Sequence, residues 1–170
     1  MTSFRVISPI DGATLESVAV TTQEEVHSKI LKAKEAQKGW ELLGIKKRAQ
    51  ILYRYHHLLC ENIKELSLLV HRENGKTLGE AEAEVEKAIE VTEFACSMPQ
   101  IMVSESLEVS QGVNCTMTHK PLGVVASITP FNFPVMVPMW MYPSAIACGN
   151  TFVLKPSEQD PMTSNKLAEL

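Results

Sequence analysis

Residues 123–158 read GVVASITPFNFPVMVPMWMYPSAIACGNTFVLKPSE, and this stretch decides the fold class. Two apolar runs, GVVASI and TFVLK, are typical of parallel strands that are buried on both faces. The apolar segment between them, PVMVPMWMYPSAIACG, predicts a helix. A strand, a crossover helix and a second strand form one right-handed βαβ unit. The stretch therefore predicts an α/β fold that contains the start of a parallel sheet.

Helices dominate the residues that precede this unit. After a turn at Asp11-Gly12 between two extended pieces, the capping box from Thr22 to Glu25 predicts the start of a first helix. Its spacing predicts a buried stripe that consists of Val26, Ile30, Ala33 and Trp40. A second helical stretch covers residues 45–73, with a break expected near Glu61-Asn62. A third begins at the capping box from Thr77 to Glu80, carries Leu78, Ala81, Val85, Ile89 and Ala95 inward, and reaches Pro99.

The segment after Pro99 changes to the two-residue period of strands. IMVSESLEVS and VNCTMTHK flank Gln111-Gly112, which predicts a β-hairpin. An isolated hairpin is marginally stable in water, so we expect it to pair with something else, such as another subunit. The predicted organisation is an N-terminal arm with helices (1–100), a hairpin that serves oligomerisation (101–120) and the start of a cofactor-binding sheet (121–170).

Composition excludes several classes of protein. Sixteen basic and 20 acidic residues give a net charge of −4 without a basic block, which argues against nucleic-acid binding. Prolines interrupt the longest apolar run, so we expect no membrane span, and the N-terminus lacks an apolar signal core. We therefore expect a cytoplasmic protein. The helix that begins near Pro161 lacks a C-cap at Leu170, which suggests a truncated chain with an incomplete sheet.

The cysteines and histidines do not predict a metal site. The four cysteines form no CxxC pair, and each is interpreted as a reduced thiol that fills the core; they are Cys60, Cys96, Cys115 and Cys148. His56 and Cys60 have helical i, i+4 spacing, but two ligands are fewer than the four of a structural zinc site.

Asn132 is the unusual residue, because a polar amide lies between two phenylalanines at the exit of an apolar strand. One interpretation is that it caps the following helix, a common role for asparagine. The other is that its N–H group donates to an oxygen that becomes negative during acyl chemistry. Composition alone favours the helix cap.

Lys155 and Glu158 follow the second strand and allow a similar pair of interpretations. A carboxylate near this strand end is where a dinucleotide-binding sheet usually binds the adenosine ribose, and Glu158 would repel the 2′-phosphate of NADP. This interpretation predicts NAD, although no GxGxxG follows the first strand to hold its pyrophosphate. The alternative is an exposed ion pair of little energetic value.

The combination of ITPFNFP, ACGNTFVLKPSE and ENGKTLGEAEAEVEKAIE resembles the aldehyde dehydrogenase superfamily, and most closely its CoA-acylating methylmalonate-semialdehyde dehydrogenase branch. The resemblance covers essentially all 170 residues but only the N-terminal third or so of a family member. It implies an incomplete aldehyde dehydrogenase fold in which a Rossmann-like NAD-binding domain begins.

The resemblance also implies roles for individual residues. Asn132 helps to form the oxyanion hole, Thr129 and Phe131 line the nicotinamide side of the cleft, and Lys155 and Glu158 bind the adenosine ribose. Gln159 stands where the branch has an arginine that contacts the cofactor. Lys87-Ala88 stands where close members carry Arg-Gly, a position linked to the substrate carboxylate.

The implied activity is the oxidation of a small semialdehyde, such as malonate or methylmalonate semialdehyde, to an acyl-CoA in a homo-oligomer. The nucleophilic cysteine of the family lies beyond Leu170, so the chain alone is expected to be inactive. Two alternatives stay open: a binding or oligomerisation module without turnover, and a hydrolytic aldehyde dehydrogenase with another substrate.

Overall fold

A computed structural model describes residues 2–170 of the chain. The strands are β1 (Ser3–Ile7), β2 (Thr14–Ala19), β3 (Glu105–Ser110), β4 (Val113–Met117), β5 (Val124–Ile128) and β6 (Thr151–Lys155). The helices are α1 (Gln23–Trp40), α2 (Ile45–Glu61), α3 (Ile63–Asn74), α4 (Leu78–Cys96), α5 (Met98–Ile101), α6 (Met136–Met139), α7 (Tyr142–Ala147) and α8 (Pro161–Glu169). None of the helices in this range is long and apolar enough to cross a membrane.

The local signals for two helix starts and for the break in the second stretch are confirmed, whereas the third helix ends at Cys96 and Pro99 lies in the separate helix α5. Thr22 and Thr77 both form the reciprocal capping boxes that the sequence predicts, with Glu25 and Glu80 respectively. The long second stretch divides into α2 and α3 at Asn62, where the expected break lies. Gly75 ends α3 with a φ of 85°, a conformation that glycine adopts without steric cost.

The main core lies where α2, α3 and α4 meet α6 and α8. Its fully buried residues include Leu59, Leu66, Val70, Val85, Val135 and Met139. Tyr55 closes one side, because its hydroxyl group donates to the carbonyl oxygen of Leu167 at 3.0 Å. Ala81, Val85, Ile89 and Ala95 of α4 are buried as predicted, but Leu78 is 54% exposed because it lies in the first turn, outside this packing.

The βαβ unit is confirmed, with two differences. Strands β5 and β6 pair in parallel from Val124–Thr151 to Ile128–Lys155. The crossover contains two short helices, α6 and α7, rather than the single helix predicted. The prediction that both faces of these strands are buried is wrong, because no residue of either strand is buried and Ile128 is 80% exposed. Within residues 2–170, the helices that pack closely on this two-stranded sheet are α1 and α7.

The predicted buried stripe of α1 is also wrong. Val26 and Ile30 are 43% and 41% exposed, and the residue of α1 that is buried is Gln37. Its side-chain amide donates to the carbonyl oxygen of Gly149 at 2.8 Å and accepts from the N–H group of Thr151 at 2.8 Å. The helix therefore joins the sheet through polar contacts near its C-terminal end, and the apolar positions of its first half contact no core.

Both predicted hairpins form, one from β1 and β2 and the other from β3 and β4. Every residue of β3 and β4 is exposed, so this hairpin extends away from the rest of residues 2–170. The prediction that all cysteines fill the core is wrong, because Cys60 and Cys115 are exposed while Cys96 is buried. Cys115 is exposed because it lies in this hairpin.

Candidate functional site

The loops that leave β5 and β6 lie side by side. We call residues 129–134 the β5 exit loop and residues 156–160 the β6 exit loop. Thr129 is buried, with 5% of its surface exposed. Its N–H group donates to the carbonyl oxygen of Lys155 at 3.1 Å and so extends the parallel pairing of β5 and β6 by one residue. The two segments that the sequence singles out therefore form one edge of the sheet, the edge where ligands gather in open parallel sheets.

Asn132 is exposed in the middle of the β5 exit loop, and the interpretation that it caps the following helix is wrong. The N–H groups of Val135 and Met136, at the start of α6, donate to Oε1 of Glu84 at 2.9 and 3.1 Å. Glu84 belongs to α4, so a distant carboxylate supplies the cap. The amide side chain of Asn132 forms no hydrogen bond within residues 2–170 and is left facing solvent.

The backbone around Asn132 is held by two side chains, one from the last residue of α3 and one from the loop between α3 and α4. Nδ2 of Asn74 donates to the carbonyl oxygen of Phe131 at 2.7 Å. Nζ of Lys76 donates to the carbonyl oxygen of Asn132 itself at 2.7 Å and also pairs with the Glu84 carboxylate. The two peptide groups that follow Phe131 and Asn132 are therefore both held by the C-terminal end of α3 and the loop after it.

Two further carboxyl groups are buried here: Glu73, near the end of α3, and Asp160, the last residue of the β6 exit loop. Burial raises the pKa of Glu73 to about 7, although hydrogen bonds from the N–H groups of Met162 and Thr163 favour its charged form. Burial likewise raises the pKa of Asp160 to about 6, against the hydrogen bond from Asn74. Both groups therefore change protonation near neutral pH.

Three polar residues at the end of β6 and in the β6 exit loop are exposed, namely Lys155, Glu158 and Gln159. Nζ of Lys155 contacts Oε2 of Glu158 at 2.7 Å, and both side chains are more than half exposed. The hydrogen bond from Lys155 lowers the pKa of Glu158, so this carboxylate is charged at neutral pH. Gln159 is exposed, and its N–H group donates to Oγ of Ser157 at 3.0 Å. Phe131, on the neighbouring loop, is half exposed.

Sequence reasoning missed the side chains that hold the two exit loops and the helices that follow them, namely Glu73, Asn74, Lys76, Glu84 and Asp160. A signal for two of them is present in the sequence. Glu73 follows Val70 by three positions, and Glu84 follows Ala81 by three and precedes Ala88 by four, so both carboxylates lie on otherwise apolar helix faces and are 4% exposed. A charged residue on a core-facing stripe indicates a buried partner.

No thiol of the chain lies in either exit loop. Burial raises the pKa of Cys96 to about 11 and also raises that of Cys148, so neither thiol is a ready nucleophile at neutral pH. Within residues 2–170, no three histidine, cysteine, aspartate or glutamate residues are grouped as metal ligands. Lys87 is exposed on α4 and pairs with Glu90, while Ala88 is buried.

Comparison with known proteins identifies the family. The sequence matches the aldehyde dehydrogenase family over residues 1–170. Malonate-semialdehyde dehydrogenase 2 from Geobacillus thermodenitrificans (strain NG80-2) is 49% identical over 164 residues, which are 96% of this chain and 34% of that relative. The chain thus spans 34% of the length of this curated relative.

Solved structures give the same result. The crystal structure of methylmalonate-semialdehyde dehydrogenase from Oceanimonas doudoroffii has a TM-score of 0.97 and 38% identity, over 99% of this chain and 35% of that one. A Sinorhizobium meliloti 1021 structure described as methylmalonate-semialdehyde dehydrogenase complexed with NAD has a TM-score of 0.95 and 37% identity, over 99% of this chain and 34% of that one. The resemblance and the incomplete α/β fold that it implies are confirmed, and the chain belongs to the aldehyde dehydrogenase family.

Proposed function

We propose that this chain supplies the oxyanion donor and one wall of the NAD cleft in an aldehyde dehydrogenase that converts a small semialdehyde into an acyl thioester. The observation that carries the proposal is the state of Asn132. Its backbone carbonyl oxygen is held by Lys76, whereas its side-chain amide is exposed and forms no hydrogen bond within residues 2–170. A positioned donor without an internal partner is suited to bind an oxygen that develops negative charge.

In the proposed reaction, a cysteine thiolate beyond residue 170 attacks the aldehyde carbon, and the carbonyl oxygen becomes an oxyanion. Nδ2 of Asn132 donates a hydrogen bond to this oxygen. When the oxyanion collapses to a thioester, the carbon loses a hydride, for which bound NAD supplies the acceptor. The thiol of coenzyme A then displaces the cysteine sulfur and releases the acyl-CoA.

The test is an assay of the full-length polypeptide, by which we mean the product of the complete reading frame. With malonate semialdehyde or methylmalonate semialdehyde and NAD, we expect NADH to form in step with an acyl-CoA when coenzyme A is present. The product is identified by mass spectrometry. Free acid formed at the same rate with and without coenzyme A would instead support the hydrolytic alternative, in which water releases the acyl group.

The cofactor proposal depends on the two exit loops. Lys155 and Glu158 offer a cation and a charged carboxylate at the carboxyl edge of the sheet, both accessible to solvent, and this pair fits the hydroxyl groups of a ribose. Thr129 and the half-exposed ring of Phe131 lie on the neighbouring loop, where they would form the nicotinamide side of the cleft. Gln159 would take the place of the arginine that the family branch carries.

Glu158→Gln in the full-length polypeptide is expected to raise the Kd for NAD about tenfold, because a charge-assisted hydrogen bond to the ribose is lost. The same change is expected to bring the Kd values for NAD and NADP closer together, since the carboxylate no longer repels the 2′-phosphate of NADP. Isothermal titration with each nucleotide measures both effects. Glu35→Gln is the matched control, because Glu35 also forms an exposed i, i+3 pair with a lysine. Equal affinities in both variants would contradict the ribose assignment.

A second candidate function is self-association without turnover. The observation that favours it is the hairpin of β3 and β4, in which every residue is exposed and Leu107 and Val109 are 67% and 56% exposed. An exposed apolar hairpin gains stability by pairing with a second copy of the chain. As part of the enzyme, the same hairpin would build the homo-oligomer.

A further inference from the structure

The β5 exit loop is tied to the rest of the chain along its whole length. Thr129 is joined to β6 at the start of the loop. At the end, the carbonyl oxygen of Pro134 accepts from Oγ of Ser164 at 3.0 Å, and Glu84 caps the helix that follows. Between these anchors, Asn74 donates to the carbonyl oxygen of Phe131 and Lys76 donates to the carbonyl oxygen of Asn132.

We propose that Lys76 is a positioning residue, which fixes the peptide group of Asn132 so that its side-chain amide points at the reacting oxygen. Asn74 assists by holding the preceding peptide group through the carbonyl oxygen of Phe131. This inference rests on the proposed function of Asn132. It assigns to the loop between α3 and α4 a role in catalysis without contact with the substrate.

The surroundings of Lys76 make it a rigid tether. Its side chain is 18% exposed and its partner Glu84 is 1% exposed, so the ion pair is largely shielded from water. The ammonium group also lies 4.0 Å from the centre of the Phe133 ring. An ammonium held by a carboxylate, an aromatic face and a carbonyl oxygen has little freedom to move. The same Glu84 carboxylate caps α6, so one ion pair links both sides of Asn132.

Such a tether matters because hydrogen-bond donation to a developing oxyanion depends steeply on geometry. A displacement of about 1 Å in a catalytic group can cost about 100-fold in rate. The Asn132 amide is separated from its backbone by two rotatable bonds, so the orientation of its peptide group sets the positions that the amide can reach. Exposed loops without such anchors move on the nanosecond to microsecond timescale.

Lys76→Met in the full-length polypeptide is expected to lower kcat about 10- to 100-fold while leaving the KM for NAD within about twofold. Steady-state kinetics with the semialdehyde give both constants. Lys38→Met is the matched control, because Lys38 forms an exposed ion pair with Glu35 on α1, outside both exit loops, and this variant is expected to leave kcat unchanged. A kcat for Lys76→Met equal to that of Lys38→Met would overturn the proposal.

Removal of Lys76 alone leaves the Glu84 carboxylate buried without its cation, which destabilises a protein. The variant Lys76→Met with Glu84→Gln avoids this, because a glutamine oxygen still accepts from the N–H groups that begin α6. We expect this variant to melt near the wild-type temperature and to show the same loss of kcat. Recovery of full kcat in the stable double variant would show that the loss came from misfolding and would overturn the proposal.

A double-mutant cycle with Asn132→Ala separates this proposal from the proposed function. If Lys76 acts through Asn132, Lys76→Met added to Asn132→Ala lowers kcat by less than about twofold. If the two losses multiply, Lys76 acts by another route and the positioning role is overturned. If Asn132→Ala has no effect on kcat while the full-length polypeptide is active, the proposed function of Asn132 fails, and the positioning role fails with it.

Discussion

Asn132→Ala is expected to lower kcat of the full-length polypeptide about 100- to 1,000-fold, the loss that follows removal of one oxyanion-hole donor. The substrate and NAD should still bind with nearly unchanged affinity, because the hydrogen bond becomes strong only when the oxygen carries negative charge. The loss should therefore appear in kcat, with little change in KM. Stopped-flow measurement of NADH formation in a single turnover tests whether the chemical step is the one that slows.

Stability gives this prediction its control. The Asn132 side chain is exposed and makes no hydrogen bond within residues 2–170, so its removal is expected to shift the thermal midpoint by less than about 2 °C. Asn165→Ala, at an exposed position in α8, should leave both kcat and the thermal midpoint unchanged. A kcat for Asn132→Ala within about threefold of that for Asn165→Ala would contradict the assignment of Asn132 as the oxyanion donor.

Features encoded within a few residues were predictable from the sequence. The capping boxes at Thr22 and Thr77, the break at Asn62 and the turns of both hairpins depend on residues that lie next to one another in the chain. The βαβ unit was predictable for a similar reason, because two apolar runs at this separation have few ways to pair. Its parallel register brings the two exit loops together, so the general position of the site follows from the pattern.

Features that depend on distant partners were not predictable in the same way. The helical spacing of α1 identifies a stripe of apolar residues but not the element that would cover it, and Val26 and Ile30 stay exposed. Asparagine is a common helix cap, yet the cap of α6 comes from Glu84, which lies 51 residues earlier in the chain than Val135. Local preference for a cap was therefore a poor guide where a buried carboxylate competes for the same N–H groups.

The buried carboxylates show why the support of the site was missed. Glu73 caps α8 and Glu84 caps α6, and in both cases a side chain from the α3–α4 region binds the first N–H groups of a distant helix. A carboxylate is favourable there because the helix dipole places positive charge at the N-terminus. These contacts fix the exit loops relative to the core. Helical spacing can indicate that the two carboxylates are buried, but it does not identify the N–H groups that they bind.

The 170-residue chain by itself is expected to form no NADH from a semialdehyde and NAD above the blank, whereas the full-length polypeptide is expected to turn over. The physical reason is the state of the four cysteines. Cys60 and Cys115 are exposed in α2 and β4, away from both exit loops, and burial raises the pKa of Cys96 and Cys148. Asn132, the proposed oxyanion donor, has no thiolate beside it in this chain, so no acyl thioester is expected to form. Absorbance at the NADH band measures the outcome.

Turnover by the 170-residue chain would contradict this account of the cysteines, and Cys148→Ser would then show whether the thiol nearest to β6 is responsible.

Sedimentation of the same inactive chain tests the second candidate function. If the hairpin drives self-association, the chain sediments as a dimer or larger species, and Leu107→Lys shifts it to the protomer because a charge then replaces an exposed apolar contact. A wild-type chain that sediments as the protomer would exclude self-association of this chain through the hairpin.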